Sequence, residues 1–90
     1  MTLYFKRRWD EVRGDRYDEW GASWWLFEVD AGGRVTRQIE MYDNGPTLRY
    51  GPENAEDQFG GLIEFELGDV EEWAPWKVTS TEFDEAWIGA

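Results

Sequence analysis

Twenty of the ninety side chains are carboxylates, nine are Lys or Arg, and none is His or Cys. That inventory restricts the chemistry before any fold is considered. Without imidazole there is no side chain that ordinarily titrates near neutrality to act as a general base. Ser23 and Ser80 are the only serines; with no His or Cys, the Ser–His and Cys–His nucleophile systems fall away. Zinc loses its usual thiolate and imidazole ligands for the same reason. Gly32-Gly33 and Gly60-Gly61 match neither the P-loop nor the GxGxxG spacing. Carboxylate pairs remain, and two of them suffice for acid–base or glycosidase chemistry. Among twenty acids, however, some pair lies close by chance. Glu53, Glu56 and Asp57 lack the residue order of a calcium loop. The sequence therefore assigns no catalytic residue, metal or cofactor, and a carboxylate-based hydrolase stands only as a remote alternative.

A second set of residues suits binding. Arg37 alternates in line with Val35, Ile39 and Met41, while Thr36, Gln38, Glu40 and Tyr42 share the opposite, polar face. An arginine in an apolar row needs a partner, and Glu28 or another carboxylate supplies one. Arg37 is either structural, as half of an internal ion pair or in a cation–π contact with Trp, or a ligand contact. Trp24, Arg37, Gln38, Glu40 and Tyr42 are accordingly the candidate ligand-binding residues on the sheet. Trp25, Phe27 and Trp87 read as core; Trp24, Tyr50, Trp73 and Trp76 read as exposed aromatics of the kind that anchor interfaces.

These side chains need elements to position them. Leu3 to Trp9 alternates as a strand, and so does Trp20 to Asp30, whose two faces are both partly apolar. The polar residues 10–19 form a loop. Ala31-Gly32-Gly33 marks a turn and Arg34 to Tyr42 a third strand. Asn44-Gly45 predicts a two-residue hairpin, with Pro46 leaving a short or edge strand from Thr47 to Tyr50. Residues 51–61 read as an acidic loop with a helical turn near Ala55, and Leu62 to Leu67 as a candidate fifth strand. Asp69 to Trp73 reads as a helical turn ended by Pro75, with Trp76 to Thr79 returning as a strand. Thr79 and Glu82 have capping-box spacing before Phe83, Ala86 and Trp87, which predicts a short amphipathic helix stopped by Gly89. The expected architecture is one α+β domain over 1–90: an antiparallel meander of about four to five strands with a C-terminal helix on one face.

The charge is uneven. Residues 1–42 carry seven bases and eight acids, residues 43–90 two bases and twelve acids, and from Gly51 to Pro75 there are eight acids and no base. Such a field repels nucleic acid and anionic membrane and attracts basic partners; equally, it keeps a chain with seven Trp soluble. Lys6-Arg7-Arg8 divides between the two faces of a strand, which argues against a nucleic-acid surface. The longest apolar run, Trp24-Trp25-Leu26-Phe27, is too short for a bilayer, and the N-terminal order is wrong for a secretory signal. The expectation is a cytoplasmic, non-enzymatic protein that holds a basic protein partner through Glu53, Glu56, Asp57, Glu64, Glu66, Trp73 and Trp76.

The stretches Ser23-Trp24-Trp25-Leu26-Phe27-Glu28-Val29-Asp30, Arg37-Gln38-Ile39-Glu40-Met41-Tyr42-Asp43-Asn44-Gly45 and Glu56-Asp57-Gln58-Phe59-Gly60-Gly61-Leu62 carry a resemblance, together with the closing run from Thr79 to Trp87. The chain resembles a family of small uncharacterised bacterial proteins over nearly its whole length. That family offers no catalytic motif to transfer. The class to which it belongs implies an immunity or antitoxin role, in which the acidic protein neutralises a basic toxin. The other reading is a small-ligand or peptide-binding domain that uses the sheet around Arg37, Gln38 and Trp24.

Overall fold

The computed structural model describes residues 2–63 and 70–89. Its frame is a five-stranded antiparallel sheet: β1 (Leu3–Trp9), β2 (Ser23–Val29), β3 (Val35–Tyr42), β4 (Thr47–Tyr50) and, after a small hairpin of β5 (Glu56–Asp57) and β6 (Gly60–Gly61), β7 (Lys77–Val78). The order across the sheet is β4-β3-β2-β1-β7. The first four strands are the expected meander, and β7 adds to the free edge of β1 through Tyr4↔Val78 and Phe5↔Lys77. The fold is α+β, completed by α1 (Ser80–Gly89). Thr79 Oγ1 accepts the backbone N–H of Glu82 at 3.1 Å, so the expected cap is present. The helix runs through Gly89 rather than stopping before it.

Alternation gives the sheet two apolar faces. On the helix face, Leu26 and Ile39 pack with fully buried Phe83 of α1, flanked by Tyr4, Met41, Ala86 and Trp87. On the opposite, loop face, Phe5, Phe27, Val29 and Val35 form one cluster and Tyr42, Leu48 and Tyr50 another. Among the described residues no α-helix covers this second face. It is covered by Trp20, Phe59, Leu62, Ile63 and Trp73 from irregular segments.

Several expectations are corrected. Val35 does not share a face with Arg37. Glu28 pairs with Arg37 but Val29 with Val35, so Thr36 is an extra residue, a β-bulge, and the bulge returns Val35 to the loop face. The face of Gln38, Glu40 and Tyr42 is polar yet buried, with the three at 1%, 4% and 8% exposure. Strand β2 begins at Ser23 because Trp20 closes a 3₁₀ turn, Asp18–Trp20, and Gly21 then takes a positive φ. Asn44 and Gly45 do join two antiparallel strands, but neither has the positive φ of a two-residue hairpin. Gly45 is required by packing: a Cβ there would sit 2.5 Å from the Trp20 ring. No helical turn forms near Ala55; the segment is the β5–β6 hairpin. A 3₁₀ helix, Val70–Trp76, runs through Pro75, whose fixed φ suits that geometry. Leu62 and Ile63 are not in a strand; the remainder of the candidate fifth strand lies outside the described residues.

Candidate functional site

The loop face holds a cavity of about 510 Å³. Its floor is β2 and β3, which present Ser23, Trp25, Phe27, Glu40 and Tyr42. Gly61, Ile63 and Trp73 also line it. Trp9 at the end of β1, with Val12 and Arg13 in the loop beyond it, adds to the lining. Trp9 and Val12 are both nearly half exposed, at 46% and 49%. Trp73 reaches the site because its ring packs edge-on against Phe5 and Phe27, with centroids 5.9 and 5.8 Å away.

Glu40 is the buried charge of this site. Its Oε1 accepts the Tyr42 hydroxyl at 2.6 Å and its Oε2 accepts Gln38 Nε2 at 2.7 Å. Burial raises its pKa above the ordinary carboxylate value, and the two hydrogen bonds and Arg13 oppose that rise. Gln38 is saturated in turn: Nε2 also donates to the Gly61 carbonyl at 3.2 Å, and Oε1 accepts the Ile63 N–H at 3.0 Å. It thereby ties the segment after β6 to the sheet.

Arg13 stands 4.0 Å from Glu40 Oε1, too far for a direct bond. It acts through Tyr42, donating from Nη1 to the phenol oxygen at 3.1 Å. Its Nε donates to Asp15 at 3.0 Å and its Nη2 to the Phe59 carbonyl. The guanidinium lies over Trp20, Tyr17 and Tyr42, at 5.3, 5.4 and 5.6 Å from the ring centroids. Burial pushes the Tyr42 phenol up, and accepting Glu40 next to it pushes it further. The Tyr42 hydroxyl therefore keeps its proton and donates it to Glu40, linking Arg13 to the carboxylate.

The candidate ligand residues do not form one surface. Gln38, Glu40 and Tyr42 belong to the loop face, whereas Trp24 and Arg37 belong to the helix face, on the other side of the sheet. Arg37 is chiefly structural. It donates to Glu28 Oε2 at 2.5 Å and Asp84 at 3.1 Å, and its guanidinium lies over Phe83 and Trp87. Trp24 is 40% exposed, as expected, with Lys6 and Arg8 over its ring at 5.1 and 5.4 Å.

The candidate partner-binding residues divide as well. Glu56 and Asp57 are exposed on the β5–β6 hairpin and Glu53 on the turn before it. Asp57 also serves the fold, accepting the Tyr50 hydroxyl at 2.9 Å and the Phe59 N–H at 2.8 Å. Trp73 and Trp76 are half-buried rather than exposed, because Arg7 lies over both rings at 5.0 and 4.3 Å. Tyr50 is fully buried, contrary to expectation. Glu64 and Glu66 lie outside the described residues.

Sequence reasoning passed over Arg13, Tyr17, Trp20 and Phe59. The available signal was the 4- and 7-residue spacing of two large aromatics after an arginine, in a segment otherwise polar enough to read as plain loop. Among the described residues no group of Asp and Glu has the arrangement of a metal site, and no helix is long and apolar enough to cross a membrane. No family model matches the chain, and no curated protein or solved structure is significantly similar to it.

Proposed function

We propose that this chain is a non-enzymatic binding protein whose acidic surface receives a basic protein partner, in the manner of an immunity or antitoxin protein. One observation supports this reading above the others. Glu53, Glu56 and Glu72 are exposed, and among the described residues no cation lies within ion-pair distance of them. Four of the nine cations are in ion pairs elsewhere. Lys6 pairs with Glu82, Arg8 with Asp10 and Asp43, Arg13 with Asp15, and Arg37 with Glu28 and Asp84. The hairpin carrying Glu56 and the 3₁₀ helix carrying Glu72 both pack on the loop face. Their charge adds on that side and steers a cationic partner toward it.

The test is a combined Glu53→Gln, Glu56→Gln and Glu72→Gln variant, which leaves Asp57 and its structural bonds intact. A partner captured from the native host is measured against both proteins across a salt series. The wild-type association rate is expected to fall steeply toward physiological salt, where the Debye length is about 8 Å. The variant is expected to associate slowly at every salt, with an unchanged melting profile. Equal rates for the two proteins at all ionic strengths would remove the acidic surface from the mechanism.

A further inference from the structure

The cavity on the loop face borders the acidic surface but has chemistry of its own. We infer that it is a binding site for a small, flat, uncharged heteroaromatic ligand that donates one N–H to Glu40. Four features select that class. Trp9, Trp25, Phe27 and Trp73 supply large ring surfaces around the same space, which suits a planar ligand. The volume of about 510 Å³ is in the ordinary range for small-molecule sites. Glu40, buried to 4% exposure, lines the cavity. Each of its oxygens accepts one side-chain hydrogen bond in the structure, whereas a carboxylate has about four acceptor positions. Acceptor capacity therefore remains, and no described donor uses it.

The charges around the cavity are mixed and favour neither charged class. A cation would meet Glu11, Asp15 and Glu40, but Arg7 and Arg13 line the same space and Arg7 already lies over the Trp73 ring. An anion would meet Glu40, Glu11 and Asp15 in the lining and the net charge of −11. A neutral N–H donor meets neither obstacle. Its hydrogen bond replaces none of the existing ones, and it favours the charged form of a carboxylate that burial disfavours.

The probes are benzimidazole, its isostere 1-methylbenzimidazole, benzamidinium as the cationic control and benzoate as the anionic one. Binding is read at pH 7.5 by titration calorimetry and by the indole N–H resonances of the seven tryptophans. Benzimidazole is expected to bind saturably and move the Trp9, Trp25 and Trp73 signals, leaving Trp24 on the opposite face unmoved. The N-methyl isostere, having lost the donor, is expected to bind at least about tenfold more weakly, the cost of one hydrogen bond to a charged group. Glu40→Gln should remove most of that preference while leaving the affinity for the isostere unchanged. Trp9→Ala, at a partly exposed wall, should weaken both neutral probes alike; it serves as the second variant should Glu40→Gln fold poorly. The proposal is overturned if no neutral probe binds, if the two isosteres bind equally, if either charged control binds more tightly than benzimidazole, or if the shifts fall on Trp24. None of these results bears on the acidic surface, which is tested by salt and by other residues.

Discussion

Glu28 on the helix face and Glu40 on the loop face stand on adjacent strands of one sheet, and each has an arginine beside it. Their situations are opposite. Arg37 bonds Glu28 directly, and that bond holds the carboxyl below its ordinary pKa. Arg13 stops short of Glu40 and reaches it through the Tyr42 hydroxyl, so burial prevails and the pKa rises. The covering elements explain the contrast. On the helix face, α1 brings Phe83, Trp87 and Asp84 to Arg37 together, fixing the guanidinium against Glu28. On the loop face the cover is assembled from a loop, a hairpin and a 3₁₀ helix. These segments meet around a cavity instead of closing it. One face is built for stability, and the other leaves an open cavity and a carboxylate without direct ionic compensation.

The largest expected effect tests the helix face as a single unit. Phe83→Ala should destabilise the protein by about 3–5 kcal/mol, since the ring is fully buried between α1 and the sheet. Trp73→Ala on the loop face should cost less, because that cover is shared among several half-buried side chains. Urea denaturation of both variants checks the ranking, and a larger loss from Trp73→Ala would reverse the assignment of roles.

The arginines should come next. Arg37→Gln leaves Glu28 without its direct partner and uncovers the Phe83 and Trp87 rings. The expected cost is about 2–3 kcal/mol, below that of a fully buried pair because both side chains keep some exposure, 23% and 15%. Arg13→Gln should cost about 1–2 kcal/mol, chiefly its ring contacts and its hydrogen bonds to Asp15, Tyr42 and the Phe59 carbonyl, because Glu40 retains both of its own donors. Equal costs would mean that Glu40 depends on the distant guanidinium after all, and the comparison of the two faces would collapse.

The helix face was nearly all legible in the sequence. Leu26 and Ile39 sit at alternating positions, Phe83, Ala86 and Trp87 at helical spacing, and Glu28 on the neighbouring strand is the partner that an arginine in an apolar row calls for. Local pattern suffices there because the cover is one regular element. The loop face was legible only as far as its strands. Alternation put Gln38, Glu40 and Tyr42 together but read their polarity as exposure, because what buries them comes from segments without periodicity. The bulge at Thr36 has no local signature, so Val35 was placed with the wrong neighbours. Gly45 was credited with turn geometry when the cause is the Trp20 ring, a contact 25 residues away in sequence. The aromatic surroundings of Arg13 were hidden in the same way, by partners from three separate parts of the chain.

The smallest expected effect is also the sharpest test, because the two carboxylates should act with opposite sign as pH changes. Glu28 has a lowered pKa in the folded state. Its contribution is complete above its unfolded pKa, ordinarily near 4.3, and is lost as pH falls through the lower folded value. Glu40 has a raised pKa. Its folded form binds more protons than the unfolded chain above the unfolded pKa, so stability is lost as pH rises through the folded value. Glu28→Gln should therefore destabilise at neutral pH and flatten the acid limb of the stability profile. Glu40→Gln should be near neutral at pH 4 and gain on the wild type by pH 8, by on the order of 1 kcal/mol, since a buried charge with indirect compensation is replaced by a neutral amide. Urea midpoints for the three proteins from pH 3.5 to 8.5 provide the measurement. A Glu40→Gln curve parallel to the wild type throughout would show that Glu40 titrates like an exposed acid. The burial that distinguishes the two faces would then have no electrostatic consequence.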